Sequence, residues 1–126
     1  MRYVRNERGS QLIEFMGILP LFLLMIIIVC QFAISASAAV TAKAAAMDGA
    51  RVAITENSDD YETAVRNVAS SYKVLSVARS ESSDGKFTYV TVKVTLEVPL
   101  LNNARVFNTT GLSIPVSSEV TLKKEE

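Results

Sequence analysis

Twenty consecutive residues without a charge, Phe15 to Ile34, constrain this chain of 126 residues more than any other feature. At about 1.5 Å of rise per residue, the run makes roughly 30 Å of helix, the thickness of a bilayer's hydrocarbon core. Thirteen of the twenty are Leu, Ile, Val or Phe, and at roughly 0.3 to 0.6 kcal/mol each they favour insertion by about 4 to 8 kcal/mol. A fully central carboxylate would cost about 2.5 to 3.5 kcal/mol on a similar scale, so Glu14 at the edge of the run does not prevent insertion. One crossing is expected. What remains is enough for one small domain and too little for two independent cores.

The formal net charge of zero hides an asymmetry. Arg2, Arg5 and Arg8 face only Glu7 ahead of the run, and positive residues on the cytoplasmic side place the N-terminus inside. No basic patch interleaved with aromatics points to nucleic acid, and no Lys/Arg-rich tract points to anionic lipid heads. Cys30 is the only cysteine and lies within the apolar run, so the domain is expected to have no disulfide and no cysteine-ligated metal, and the thiol to be buried and inert. The chain has no histidine, which removes the commonest general base, the usual zinc ligand and every Ser-His or Cys-His nucleophile. The composition therefore argues for a structural or interaction role, without a cofactor or small-molecule substrate.

Past the run the residues turn to alanine and serine, and Ala38, Ala42, Ala46 and Ala50 form an i, i+4 row. Such a row either admits a second helix at close range or reflects helix propensity on a segment extending into solvent. A helix from Ser10 to Ile54 would be roughly 65 Å long, so its second half is expected to emerge from the membrane as a stalk. Asp59 with Glu62 reads as a capping box. Tyr61, Ala64, Val65, Val68, Ala69 and Tyr72 then give a second helix one apolar stripe. Val74 to Arg79 is a short strand and Ser82 to Gly85 a turn. Lys86 to Val98 alternates cleanly, with Val90, Val92, Val94, Leu96 and Val98 on one face. A last strand, Leu112 to Leu122, contains Pro115 and is therefore an edge or bulged strand. The short turn leaves no room for a crossover, so the sheet is antiparallel. The expected class is α+β: a long N-terminal transmembrane helix, then a short helix on a sheet of about three strands. The boundaries expected are a leader over 1–9, the transmembrane and stalk helix over 10–54, and the small domain over 55–126.

The head of the apolar run carries the most specific signal, Gly9-Ser10-Gln11-Leu12-Ile13-Glu14-Phe15. A short basic leader ends at a glycine, a small residue follows, and Glu14 and Phe15 stand fifth and sixth after it, with Pro20 early in the run. This pattern resembles class III (type IVb-like) prepilins and, among them, the TadE-like minor pseudopilins of tight-adherence (Tad) pili. The likeness extends to the alanine-rich segment ending Asp48-Gly49-Ala50-Arg51 and to the closing alternation of Val and Leu with Ser and Thr. Ser10 departs from the Phe usual at the first mature position of type IVa pilins and type II pseudopilins, which argues against those classes. The resemblance implies a pilin-like fold, cleavage by a prepilin peptidase between Gly9 and Ser10, and assembly with other minor and major pilins and the pilus machinery of the inner membrane. It implies a single-pass protein, with its domain outside the membrane or carried in the pilus, that takes part in adherence.

The chemistry is consistent with that implication. Cleavage after Gly9 leaves a cationic α-amino group at Ser10, on the same helix end as Glu14, and a carboxylate at a membrane boundary is costly unless paired. The amine of a neighbouring subunit is the obvious partner. Pro20 removes one backbone donor and is expected to kink the helix locally. The thirteen residues from Pro99 to Gly111 are too many for a tight hairpin, and their apolar Leu101 and Phe107 fit either a lid over the sheet or a partner-docking loop. A rival of another class is a Sec signal peptide cut within Ser35-Ala36-Ser37-Ala38-Ala39, which would release a soluble domain. A third is an uncleaved signal-anchored binding module. Asn108-Thr109-Thr110 matches a glycosylation sequon, but so short a match is cheap and a prepilin implies a prokaryote.

Overall fold

A computed structural model describes residues 7–55, 60–99 and 113–124. Its elements are α1 (Glu7–Thr55), α2 (Tyr61–Val68), β1 (Lys73–Ser83), β2 (Thr88–Pro99) and β3 (Ser113–Lys124). The chain divides into two compact units, Met1–Ala33 and Ile34–Glu126, and α1 contributes to both.

The first unit is helical from Glu7 onward, so the helix already includes the last residues of the expected leader. It runs through Pro20 without leaving the α-helical state. Its apolar side chains are exposed on every face: Ile13 is 75% exposed, Leu21 68% and Phe32 76%. A helix apolar all round is suited to lipid or to other buried surroundings. Cys30, expected to be buried, is a free thiol exposed on this surface. Among the described residues this is the one helix long and apolar enough to cross a membrane.

In the second unit the alanine row is a packing face and not a solvated one. Ala38, Ala42, Ala46 and Ala50 are fully buried, as are Ala45 and Ala53. All but Ala38 join Val65 and Ala69 and the inward face of β2, Val90, Val92, Val94 and Leu96, in one core cluster. The helix packs on its own chain's sheet and on the short helix that follows it, and not in water. Small side chains bring its backbone close to the β-branched row of β2, which fills the space that larger helix residues would take.

At Gly49 the approach is close. A Cβ built there would lie 2.6 Å from Val65 Cγ2 and 3.5 Å from both the Tyr61 carbonyl oxygen and Val92 Cγ1. At this point α1 meets α2 and the sheet at once.

Helix α2 starts from Asp60, which makes no side-chain capping bond. Asp59 lies outside the described residues. The expected capping box thus rests on a residue outside that range, and of its two members only Glu62 is described. Glu62 places negative charge in the first turn, where the helix dipole favours it. The helix is shorter than its stripe implied: Ala69 N–H donates to Val65 O at 2.9 Å, Tyr72 N–H to Ala69 O at 2.9 Å, and the chain turns into β1. Of the stripe, Val65 and Ala69 are buried and Tyr61, Ala64 and Tyr72 half-buried, while Val68 is exposed. The Tyr72 hydroxyl hydrogen-bonds to Ser37 Oγ of α1 at 3.2 Å.

The sheet is antiparallel throughout, in the order β1-β2-β3. The alternation of β2 holds, with its even-numbered residues Val90 to Val98 buried. Strand β1 runs to Ser83, well past the expected Arg79, so the turn is Asp84–Phe87. Asp84 N–H donates to Phe87 O at 3.0 Å, and Gly85 takes the left-handed φ of 74° that a glycine allows without strain. A bulge between Val74 and Ser76 leaves Leu75 exposed and turns Val77 inward opposite Val94. Pro115 lies in β3, an edge strand, as its missing N–H requires.

The outer face of the sheet is polar. Thr91 and Thr121 share a hydroxyl hydrogen bond of 2.8 Å across the strands, and Lys73 pairs with Glu97 at 3.0 Å. A hydrogen bond from Ser113, together with Lys73, holds the Glu97 carboxyl below its ordinary range. Exposed pairs of this kind stabilise little and act mainly to keep the face wet.

Candidate functional site

The residues singled out at the head of the apolar run all lie on α1, within its first turns. Gly9 is helical, exposed and uncrowded: a Cβ added there would meet nothing within 4 Å. Ser10 and Glu14 are four residues apart on one helix, which stacks them on the same face one turn from each other. Phe15 is 65% exposed beside them. Among the described residues the Glu14 carboxylate has no ion-pair or hydrogen-bond partner. The site is thus a helix end bearing a hydroxyl residue, a carboxylate and an aromatic ring, all directed outward. Such a surface can meet a second molecule, whereas catalysis would need groups converging on one point.

Leu101 and Phe107, the two loop residues expected to dock a partner or cover the sheet, lie outside the described residues. Among the described residues no group of three or more His, Cys, Asp and Glu side chains is placed to hold a metal ion.

Two features were missed from sequence. One is Gly49, whose need for a bare backbone depends on how α2 and β2 meet α1. The other is a basic cluster at the hairpin end of the sheet. It forms because Lys123 and Lys124 pair with Tyr89 and Thr88 beside the turn that carries Lys86. The strand register brings these residues together across more than thirty positions of sequence, so no local motif announces them.

These observations define the class: a small α+β domain whose first helix continues into one N-terminal, all-round apolar segment suited to a single membrane crossing. Residues 9–51 match the family model described as TadE-like protein, the family that the sequence resembles. The match begins at Gly9, covers the apolar run and the buried alanine row, and ends two residues past Gly49. No curated protein and no solved structure matches the chain.

Proposed function

We propose that this chain is a minor pilin or pseudopilin, cut by a prepilin peptidase between Gly9 and Ser10 on the cytoplasmic face of the inner membrane, that takes part in assembling a Tad-type pilus used in adherence. One observation carries the proposal: the TadE-like match starts at the glycine of a basic-leader, Gly9-Ser10, Glu14-Phe15 pattern heading a helix that is apolar on every side. Hydrolysis of the Gly9–Ser10 amide leaves a carboxylate on the leader and a cationic amine on Ser10. The amine of one subunit pairs with Glu14 of the next, which sets the axial register, while the apolar faces supply packing. A charge pair in low dielectric is strong, and an unpaired carboxylate there is costly.

Replacing Gly9 by Leu is expected to leave full-length protein in the membrane. The added side chain has open space around it, so the loss of processing would reflect recognition by the peptidase and not folding. Processing at the wild-type rate would refute the cleavage assignment. Glu14→Ala is expected to be made, inserted and cleaved, yet to fail to enter the filament. Normal piliation with this variant, or its failure to insert, would count against an assembly role.

We also assign Leu101 and Phe107 to partner docking, on the strength of a long connection whose composition is more apolar than a solvated loop needs. Changing both to Ser should abolish capture of partner pilins without moving the melting temperature. A large drop in melting temperature would make them a lid instead.

The Sec reading is disfavoured by a specific observation. A cut before Ala39 would sever α1 beside the fully buried Ala38 and remove Ser37, the partner of the Tyr72 hydroxyl. A release site is expected in accessible chain, not inside a packed helix.

A further inference from the structure

The apolar run ends at Ile34, and Ile34 lines a cleft of about 350 Å³ together with Ser71, Tyr72 and Lys73 at the entry to β1 and Glu97 and Pro99 at the end of β2. All of these residues belong to the second unit. The strand register puts this end of the sheet opposite the hairpin, with Lys73 beside Glu97 and Val98 beside Ile114. Charge is almost absent from it. Among residues 34–42, 71–77, 94–99 and 113–118 only Lys73 and Glu97 are charged, and they form one ion pair at 3.0 Å. Two large apolar side chains are exposed at the same end, Leu75 by 47% and Ile114 by 42%. We propose that the Ile34 end of the domain is seated in the headgroup layer of the bilayer that α1 enters, with Tyr72, Lys73, Leu75 and Ile114 as its lipid contacts.

The level follows from the length of the run. A bilayer is about 30 Å thick in its hydrocarbon and about 40 to 45 Å with its headgroups, so roughly 5 to 8 Å of headgroup layer lies beyond a run that fills the hydrocarbon. At about 1.5 Å per residue this layer takes up roughly three to five residues of helix past Ile34. Ser37 falls within it. The Tyr72 hydroxyl bonds to Ser37 Oγ at 3.2 Å, which places the phenol at the same level. Tyrosine is favoured at that depth, because its ring is apolar and its hydroxyl polar, and a lysine stem reaches from there to the phosphates. Helix α1 continues through Ile34 as helix, and Ala38 is already buried in the domain, so no linker holds the domain away from the membrane surface. A single neutral ion pair adds little attraction to anionic lipid, and burial of Leu75 and Ile114 supplies the contact instead. The inference rests on α1 crossing a membrane and not on cleavage at Gly9.

The test uses the full chain in phosphatidylcholine nanodiscs. The chain has no tryptophan, so a single indole reports one position. Leu75→Trp and Ile114→Trp should each lose most of their fluorescence to a nitroxide carried on the lipid headgroup. Phe87→Trp at the hairpin end and Ser80→Trp farther along β1 should keep theirs, which shows that an indole does not by itself draw the domain to lipid. Raising the salt should leave the quenching unchanged, since the two charges are paired. Phe22→Trp, within the run, should be quenched by a nitroxide on the acyl chain. Quenching of Phe22→Trp without quenching of Leu75→Trp and Ile114→Trp would overturn this proposal and leave the membrane crossing intact. Equal quenching at all four domain positions, or loss of quenching in salt, would overturn it as well. An unquenched Phe22→Trp would overturn the crossing and the proposal together.

Discussion

A fragment beginning at Asn57 is expected to remain unfolded in solution, whereas one beginning at Ile34 should fold and melt cooperatively. The shorter fragment contains α2 and all three strands, so element content alone would favour its folding. It lacks Ala42, Ala45, Ala46, Ala50 and Ala53, the α1 side of the core cluster. Without them the inward row of Val90, Val92, Val94 and Leu96, now fully buried, returns to water. At about 1.5 to 3 kcal/mol for each large side chain the loss is roughly 6 to 12 kcal/mol. That is the size of the whole stability of a typical domain, about 5 to 15 kcal/mol. Circular dichroism melts of the two fragments decide the matter. A cooperative transition in the fragment from residue 57 would show that α1 is an accessory and not half of the core.

Gly49→Leu should markedly destabilise the second unit. The first atom of the new side chain would already lie 2.6 Å from Val65 Cγ2. Val65 is fully buried and, as a β-branched residue in a helix, has one strongly preferred rotamer, so it cannot swing aside. Overpacking of this kind costs about 1 to 3 kcal/mol and occasionally more. Gly49→Ala recovers up to about 1 kcal/mol through helix propensity and should be milder. Leucine gains the same propensity but brings three further carbons to the contact. At about 4 to 8 °C per kcal/mol for a domain near 100 residues, Gly49→Leu should lower the melting temperature by about 10 °C or more. Gly9→Leu is the matched control, since nothing lies within 4 Å of the added atom, and it should leave the melt unchanged. Equal melting temperatures for the Gly49 and Gly9 variants would mean that α1 and α2 do not approach as described.

Much of this fold can be read from residues whose meaning is local. The alternation of Val90 to Val98 marks a strand wet on one face, Pro115 marks an edge, and the run from Phe15 to Ile34 marks a helix suited to lipid. Each follows from a period or a missing donor within a few residues. The elements read less well are those decided by contacts. Ala38 to Ala50 guarantees a helix with one small-residue face but does not say what covers that face, and the answer is the chain's own sheet together with α2. The bulge at Leu75 and the extension of β1 to Ser83 come from pairing with β2, so a short window over β1 misses both.

The candidate site divides in the same way. Gly9, Ser10, Glu14 and Phe15 stand out because their spacing is itself the signal. Their roles lie in contacts with other chains, to which a single folded chain offers only an outward-facing carboxylate. The lysines of the hairpin end are visible only once Lys123 and Lys124 are placed beside Tyr89 and Thr88.

The central claim is that the chain is a processed pilin subunit, and the N-terminal residue of the protein extracted from membranes of cells that contain a prepilin peptidase tests it most directly. Ser10 as the first residue is the expected result. Ala39 in that position would establish a secreted domain released by signal peptidase, and Met1 an uncleaved anchor, and either would contradict the account.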